Sequence, residues 1–231
     1  MAAKTGTFYG VSVGPGDPEL LTAKALRILA ACPVIAAPRT AGGEQLALSI
    51  ARQAVDLADK ELLPLAFSMD RDEAVRKAAW QKAAGQVRAV LDRGQDVAMV
   101  VLGDVSIYAT YCSLMEILQG EGYATEMIPG VTSFSAIAAR LGMSLTTMEE
   151  PLHILPASQA DQWEGLSLPG TKILMKSGRN LGPLMEELSR RDLPSRASLV
   201  ANCGLPGEVV CRDLRKFSAP TGYYTTVIVK E

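Results

Sequence analysis

The chain reads as an α/β protein of two domains, the first built on a parallel five-stranded sheet and the smaller second on a mixed sheet. Two observations predict this. Up to Gly142, short apolar runs alternate with longer segments of helical period, the pattern of a parallel sheet with right-handed crossovers. Beyond Thr146 to Pro151, strand-like runs follow one another with one strong helix among them, which implies hairpins and mixed pairing.

Phe8 to Val13 is the first strand, ending in Gly14-Pro15-Gly16-Asp17-Pro18. Pro18 suits a first helical turn, where a missing N–H costs nothing, and Asp17 suits its N-cap. Leu21, Ala25, Ile28 and Leu29 then share one helical face. Pro33 to Ala37 is the second strand, and Glu44 to Ala58 the second helix, striped by Leu46, Ile50, Ala54 and Leu57. Leu62 to Phe67 is the third strand, and the Ala-rich helix Arg71 to Arg93 stops at Gly94. Asp96 to Gly103 has the continuous apolar character of a central parallel strand. A helix over Ile107 to Gln119 turns Tyr108, Tyr111, Cys112 and Met115 inward. Ala124 to Ile128 is the fifth strand. Ser133 to Leu141 is helical, with Phe134, Ile137, Ala138 and Leu141 on one face and Gly142 as its C-cap. In the second half, strands are expected at Leu152 to Leu155, Lys172 to Lys176, Ser198 to Cys203, Glu208 to Phe217 and Tyr224 to Val229. The helix Leu181 to Arg191 lies among them, with Leu184, Met185 and Leu188 inward. The boundary falls near residue 149, giving domains 1–148 and 149–231.

Composition narrows the function. Of 231 residues, Lys and Arg number 23 and Asp and Glu 25, for a net charge of −2. A protein whose main partner is nucleic acid carries a basic surplus that neutralises phosphates, so no nucleic acid is expected. Apolar runs such as Val97 to Leu102 are far short of the ~20 residues that span a bilayer. Met1 to Gly10 has one Lys and no apolar stretch, so a cytoplasmic protein with no membrane partner is expected. The mean hydropathy of +0.15 points to an apolar cleft or a subunit interface. Cys32, Cys112, Cys203 and Cys211 are scattered with no C-x-x-C, so reduced thiols and no metal site are expected. The one histidine, His153, reads as a packed strand residue.

The first glycine turn is not a phosphate loop. G-x-G-x-x-G counted from Gly14 would need glycine where Glu19 stands, and counted from Gly10 it would need glycine at Ser12. Asp17 and Glu19 occupy the helix end that would face an anion, and Pro15 and Pro18 remove two donors. The turn is a capped β–α connection, or a close-approach surface for a ligand without phosphate. Gly103-Asp104 leaves the central strand at its carboxyl end, where α/β sheets bind ligands. Asp104 can accept hydrogen bonds, hold a cation or shuttle a proton there, or serve simply as an N-cap. Pro129-Gly130-Val131-Thr132-Ser133 places two hydroxyls at a third such turn, with Ser133 a capping candidate.

Gly10 to Ala25, reading GVSVGPGDPELLTAKA, closely resembles the opening of the tetrapyrrole methylases. The Gly103-Asp104 loop, the Ile128 to Ser133 turn and Ala201-Asn202-Cys203-Gly204-Leu205-Pro206 match later motifs of that family in order, and the resemblance covers nearly the whole chain. Leu65 to Asp72 and Tyr223 to Lys230 resemble the branch that methylates C20 of precorrin-2. Val105 stands where the pattern has proline after Gly-Asp, and Ser68 where it has proline before Met69; Ser106 and Tyr108 keep the pattern.

The resemblance implies a methyltransferase using S-adenosylmethionine, held in the cleft between the domains and acting on C20 of precorrin-2 or cobalt-factor II in cobalamin biosynthesis. It implies that Pro15, Gly103, Asp104, Ser106, Ile107, Thr132, Ser133, Met175, Asn202, Cys203 and Thr225 line the cofactor. It also implies a small-molecule tetrapyrrole partner and a homodimer. Asp104 is the catalytic candidate, steadying positive charge or taking a proton. Arg39, Arg71, Lys176 and Arg179 are candidates for substrate carboxylates, against ordinary surface charge. The alternatives are methylation at another ring position, of a modified histidine or of ribosomal RNA, or a non-catalytic tetrapyrrole- or nucleotide-binding module.

Overall fold

Strands Thr7–Ser12 (β1), Val34–Arg39 (β2), Glu61–Ala66 (β3), Val97–Val101 (β4) and Ala124–Ile128 (β5) form one sheet in the order β3-β2-β4-β1-β5, parallel throughout. The computed structural model describes residues 5–39, 45–68, 70, 72–157, 160–218 and 222–231, with the backbone alone at 160–162. The β4 run Val-Ala-Met-Val-Val is buried at every position, as a strand covered on both faces must be. Helices Glu73–Leu91 (α3) and Tyr111–Gly120 (α4) cover one face, where Phe8, Val97, Met99 and Val101 meet Val87, Leu91, Leu114 and Leu118. Strand residues alternate in direction, so Val11, Ile35, Ala98 and Val100 point to the opposite face. Ala23–Ala31 (α1) and Leu46–Ala54 (α2) contact the strands there.

Gly10 is fixed by close approach. A Cβ there would lie 2.6 Å from the Tyr111 ring, which is fully buried and stacks obliquely on Phe8 with centroids 4.8 Å apart.

The chain divides into two compact units, Met1–Thr132 and Ser133–Glu231. The second holds Leu152–Pro156 (β6), Thr171–Met175 (β7), Ala197–Ala201 (β8), Val209–Cys211 (β9) and Thr225–Val229 (β10). Their order is β6-β7-β10-β8-β9. β6 runs parallel to β7 and the other pairs are antiparallel, the mixed sheet expected. Helix Leu181–Arg190 (α6) covers one face, with Leu184 and Leu188 against Leu174, Leu199 and Val227. Helix Ser133–Leu141 (α5) covers the other, with Phe134, Ile137 and Leu141 against Ile173, Val200 and Ile228. This division differs from the boundary drawn near residue 149. Sequence order places α5 after β5, but its apolar stripe packs within the second unit.

Several local expectations change. Pro18–Leu20 is a short 3-10 turn capped by Asp17, and α1 starts afresh behind Thr22, whose hydroxyl accepts from the Ala25 N–H at 3.2 Å. The fourth helix begins at Tyr111 rather than Ile107. Tyr108 lies ahead of it, exposed, with a left-handed φ of 51°. The strand drawn over Glu208 to Phe217 is short, and Leu214–Lys216 after it is a 3-10 turn. No helix among the described residues is long and apolar enough to cross a membrane. His153 is half-buried on β6, with Nε2 3.0 Å from Pro169 O.

Candidate active site

The carboxyl ends of β1, β4 and β5 are stitched together at the glycine turns. Gly14 and Gly103 form an antiparallel bridge, Gly103 N–H donating to Gly14 O at 2.7 Å and Gly14 N–H to Gly103 O at 3.3 Å. Both glycines have a left-handed φ, 72° and 75°, which L side chains adopt at a cost. Gly130 is constrained differently, since a Cβ there would lie 2.4 Å from Ser12 Cβ. At Gly103 a Cβ would meet nothing within 4 Å, so the space beside this turn is open.

Asp104 sits in this knot, 9% exposed. Its Oδ1 accepts from the Ser106 N–H at 2.9 Å and from the Ser106 hydroxyl, and its Oδ2 accepts from the Gly130 N–H at 2.8 Å. Burial pushes its carboxyl up. The bonds from the Ser106 hydroxyl, the Gly130 N–H and the Ser106 N–H prevail and hold it below its ordinary value, because they favour the charged form. Asp104 does not cap α4, which starts seven residues on. Pro15 is buried behind Gly14, Ser106 is exposed, and Ile107 and Thr132 are half-buried.

In the second unit, Met175, Asn202, Cys203 and Thr225 gather at one end of the inner strands of the mixed sheet. Met175 ends β7, and Thr225 opens β10 in register with Ala201. Asn202 has a left-handed φ of 52°, and its N–H donates to Tyr224 O at 2.9 Å. Thr225 Oγ1 donates to Gly222 O at 2.7 Å. The Cys203 thiol is pushed up to about 11, by burial first and by the Glu208 carboxylate second, with Arg140 opposing. Ser133 Oγ is buried without a hydrogen-bond partner among the described residues, so it does not cap α5.

Among the cationic candidates, Arg39 is exposed at the end of β2, and Arg179 lies 5.5 Å from the Tyr223 ring centroid. Lys176 is half-buried with a left-handed φ of 60°, and burial lowers its pKa. Arg71 and Met69 lie outside the described residues. No group of three or more His, Cys, Asp or Glu side chains among the described residues is arranged to hold a metal.

Residues 7–216 match the family described as Tetrapyrrole (Corrin/Porphyrin) Methylases. This chain belongs to the tetrapyrrole methylases. It is 32% identical to a cobalt-precorrin-2 C(20)-methyltransferase of Salmonella typhimurium, over 98% of this chain and 97% of that protein. It is 28% identical to a precorrin-2 C(20)-methyltransferase of Sinorhizobium, over 97% and 95%. Among solved structures, a uroporphyrin-III-C-methyltransferase from Thermus thermophilus superposes with a TM-score of 0.71 at 25% identity, covering 97% of this chain and 94% of that one. The cobalt precorrin-4 methyltransferase CbiF shares the fold, with a TM-score of 0.74 at 20% identity and the same coverage.

In this methylase the three glycine turns singled out in the sequence do converge. Sequence reasoning missed Ser12, which is fully buried between β5 and the Asp104 turn. Its only sequence signal was its place two residues before Gly14. Glu208 was missed as well. It accepts from Arg140 Nε at 2.5 Å and from the Gly204 N–H at 2.8 Å, so it braces the loop carrying Asn202 and Cys203.

Proposed function

We propose that this methylase uses S-adenosylmethionine to methylate C20 of precorrin-2 or its cobalt complex in cobalamin biosynthesis. The similarity to the Salmonella typhimurium cobalt-precorrin-2 C(20)-methyltransferase, which runs the length of both chains, carries the reading. The chemistry of the turns fits the cofactor. Pro15 and the Asp17–Glu19 cap offer no cradle for phosphate, and S-adenosylmethionine has none. The open space at Gly103 lies beside an ionised carboxylate, which suits a cationic ligand. The Ser133 hydroxyl, buried and without a hydrogen-bond partner among the described residues, is a donor that a ligand can use.

Pro15, Gly103, Asp104, Ser106, Ile107 and Thr132 of the first unit, with Ser133, Met175, Asn202, Cys203 and Thr225 of the second, are the residues we assign to holding the cofactor. When bound, S-adenosylmethionine supplies a methyl group already activated on a sulfonium. The chain's task is then alignment, which brings reacting atoms to about 3–3.5 Å. Asp104 is held ionised by its hydrogen bonds and is therefore a weak base. Of its two candidate roles, steadying positive charge is the one we assign. Met175 provides a soft apolar wall. Arg39, Lys176 and Arg179 are the cations assigned to the substrate's carboxylates. A cytoplasmic homodimer belongs to the same reading, and light scattering of the eluting protein tests the dimer.

The deciding experiment incubates purified protein with methyl-labelled S-adenosylmethionine and either precorrin-2 or its cobalt complex. Label at C20, with a changed ring absorption, is the expected result, and the faster substrate identifies the route. Label at another ring carbon would replace the C20 assignment. Cofactor binding without transfer would favour a binding module.

A further inference from the structure

Ser12 occupies a junction that the proposed chemistry leaves unexplained. Its hydroxyl, fully buried, donates to Ile128 O at 2.7 Å and accepts from the Val105 N–H at 2.9 Å. One side chain thus ties the end of β1 to the end of β5 and to the turn carrying Asp104. That turn runs from Asp104 to Ile107 and is closed by the Ile107 N–H on Asp104 O at 3.2 Å. Val105 is its second residue. Proline is favoured at that position because its fixed φ matches the turn, yet proline brings no N–H. Val105 keeps the N–H that a proline would lack, and Ser12 receives it. Val105 is itself buried, and its carbonyl accepts from Cys112 Sγ at 3.4 Å.

We propose that Ser12 is a positioning residue for Asp104, and that its bond to the Val105 N–H does here what a proline ring does at the second residue of such a turn. The energetic logic is asymmetric. Removing the hydroxyl alone strands a buried N–H, which costs more than a made hydrogen bond contributes. Removing both partners of the Val105–Ser12 bond is close to neutral for that bond, while the Ile128 carbonyl loses its Ser12 donor in either case. Loss of Ser12 therefore loosens the turn and lets Asp104 move off the Gly130 N–H, and proline at 105 removes the stranded donor and stiffens the turn again. The expected effect on cofactor binding rests on the function proposed above; the effect on Asp104 itself does not.

The test compares Ser12→Ala, Val105→Pro and the double variant with the unaltered full chain. One readout is the carbon-13 NMR titration of the Asp104 carboxyl, assigned by its disappearance in Asp104→Asn. The other is the affinity for S-adenosylhomocysteine measured by calorimetry. Ser12→Ala is expected to raise the pH at which Asp104 titrates and to weaken S-adenosylhomocysteine about tenfold, the scale of one buried hydrogen bond. The double variant is expected to recover the part of both losses that the stranded Val105 N–H causes. Val105→Pro alone, whose ring would replace the N–H aimed at Ser12 Oγ 2.9 Å away, is expected to do worse than the double variant. An Asp104 titration unmoved by Ser12→Ala, or a double variant no better than Ser12→Ala, overturns the proposal. If Ser12→Ala fails to fold, a folded double variant supports the pairing and an unfolded one overturns it. Failure of the unaltered chain to bind S-adenosylhomocysteine sinks the cofactor reading alone, and the titration series still decides on Ser12.

Discussion

The Gly130 N–H donates to Asp104 Oδ2 at 2.8 Å, joining the turn after β5 to the turn after β4 through a single carboxylate oxygen. Replacing Asp104 by Asn removes the charge and turns one acceptor into a donor. Hydrogen bonds to charged groups contribute roughly 1.5–3 kcal/mol. Turnover of Asp104→Asn is expected to fall about ten- to a hundredfold, with a smaller change in cofactor affinity. Steady-state kinetics and calorimetry measure the two separately, and unchanged turnover would remove Asp104 from the chemistry.

The depressed titration of Asp104 also makes stability depend on pH. A carboxyl whose folded pKa lies below its unfolded value stabilises the fold above the ordinary carboxylate range, about pH 3.9. That contribution is lost as the pH falls from there through the folded value. The urea midpoint of the unaltered protein is therefore expected to exceed that of Asp104→Asn at pH 6, and the gap to close as the pH is lowered past 4. A gap that stays constant would show that the charge carries no stability.

Two glycines predict opposite signs. A Cβ at Gly130 would sit 2.4 Å from Ser12 Cβ, so Gly130→Ala is expected to destabilise by about 1–3 kcal/mol, the cost of overpacking. Gly85 lies within α3, and a Cβ there meets nothing within 4 Å. Gly85→Ala is expected to stabilise by roughly 0.5–1 kcal/mol through helix propensity. Denaturant titration of both variants checks the pair.

Cys203, pushed up to about 11, holds little thiolate at pH 8. Alkylation is expected to be about a hundredfold slower than at a free cysteine of ordinary pKa, since the thiolate is the nucleophile. Glu208→Gln, which removes a negative neighbour, is expected to speed it. Mass spectrometry of timed iodoacetamide reactions reports both rates.

The legible parts of this protein were those with local causes. The uninterrupted apolar run at Val97 to Val101 and the stripe from Phe134 to Leu141 needed only period and burial, and both elements form over the expected stretch of chain, although the second packs in the other unit. Asp17 and Pro18 did mark a helical start, but it closed after one 3-10 turn because Thr22 offers a second cap. Tyr108 looked like an inward helical residue by spacing, although the chain spends residues 104–107 on a turn set by a hydrogen bond from the distant Gly130 N–H and one to the distant Ser12 hydroxyl. Ser12 and Glu208 stayed invisible for the same reason. Their partners lie far away in the chain or across a loop, and no periodicity records them.

The packing of α5 within the second unit has a practical consequence. A fragment started at residue 149 would leave Ile173, Val200 and Ile228 facing water along the sheet, an apolar patch that invites self-association. The same fragment started ahead of Ser133 would carry its own cover. Limited proteolysis, or expression of the halves from separate genes, should therefore yield a tractable carboxyl-terminal piece only when the cut precedes that helix.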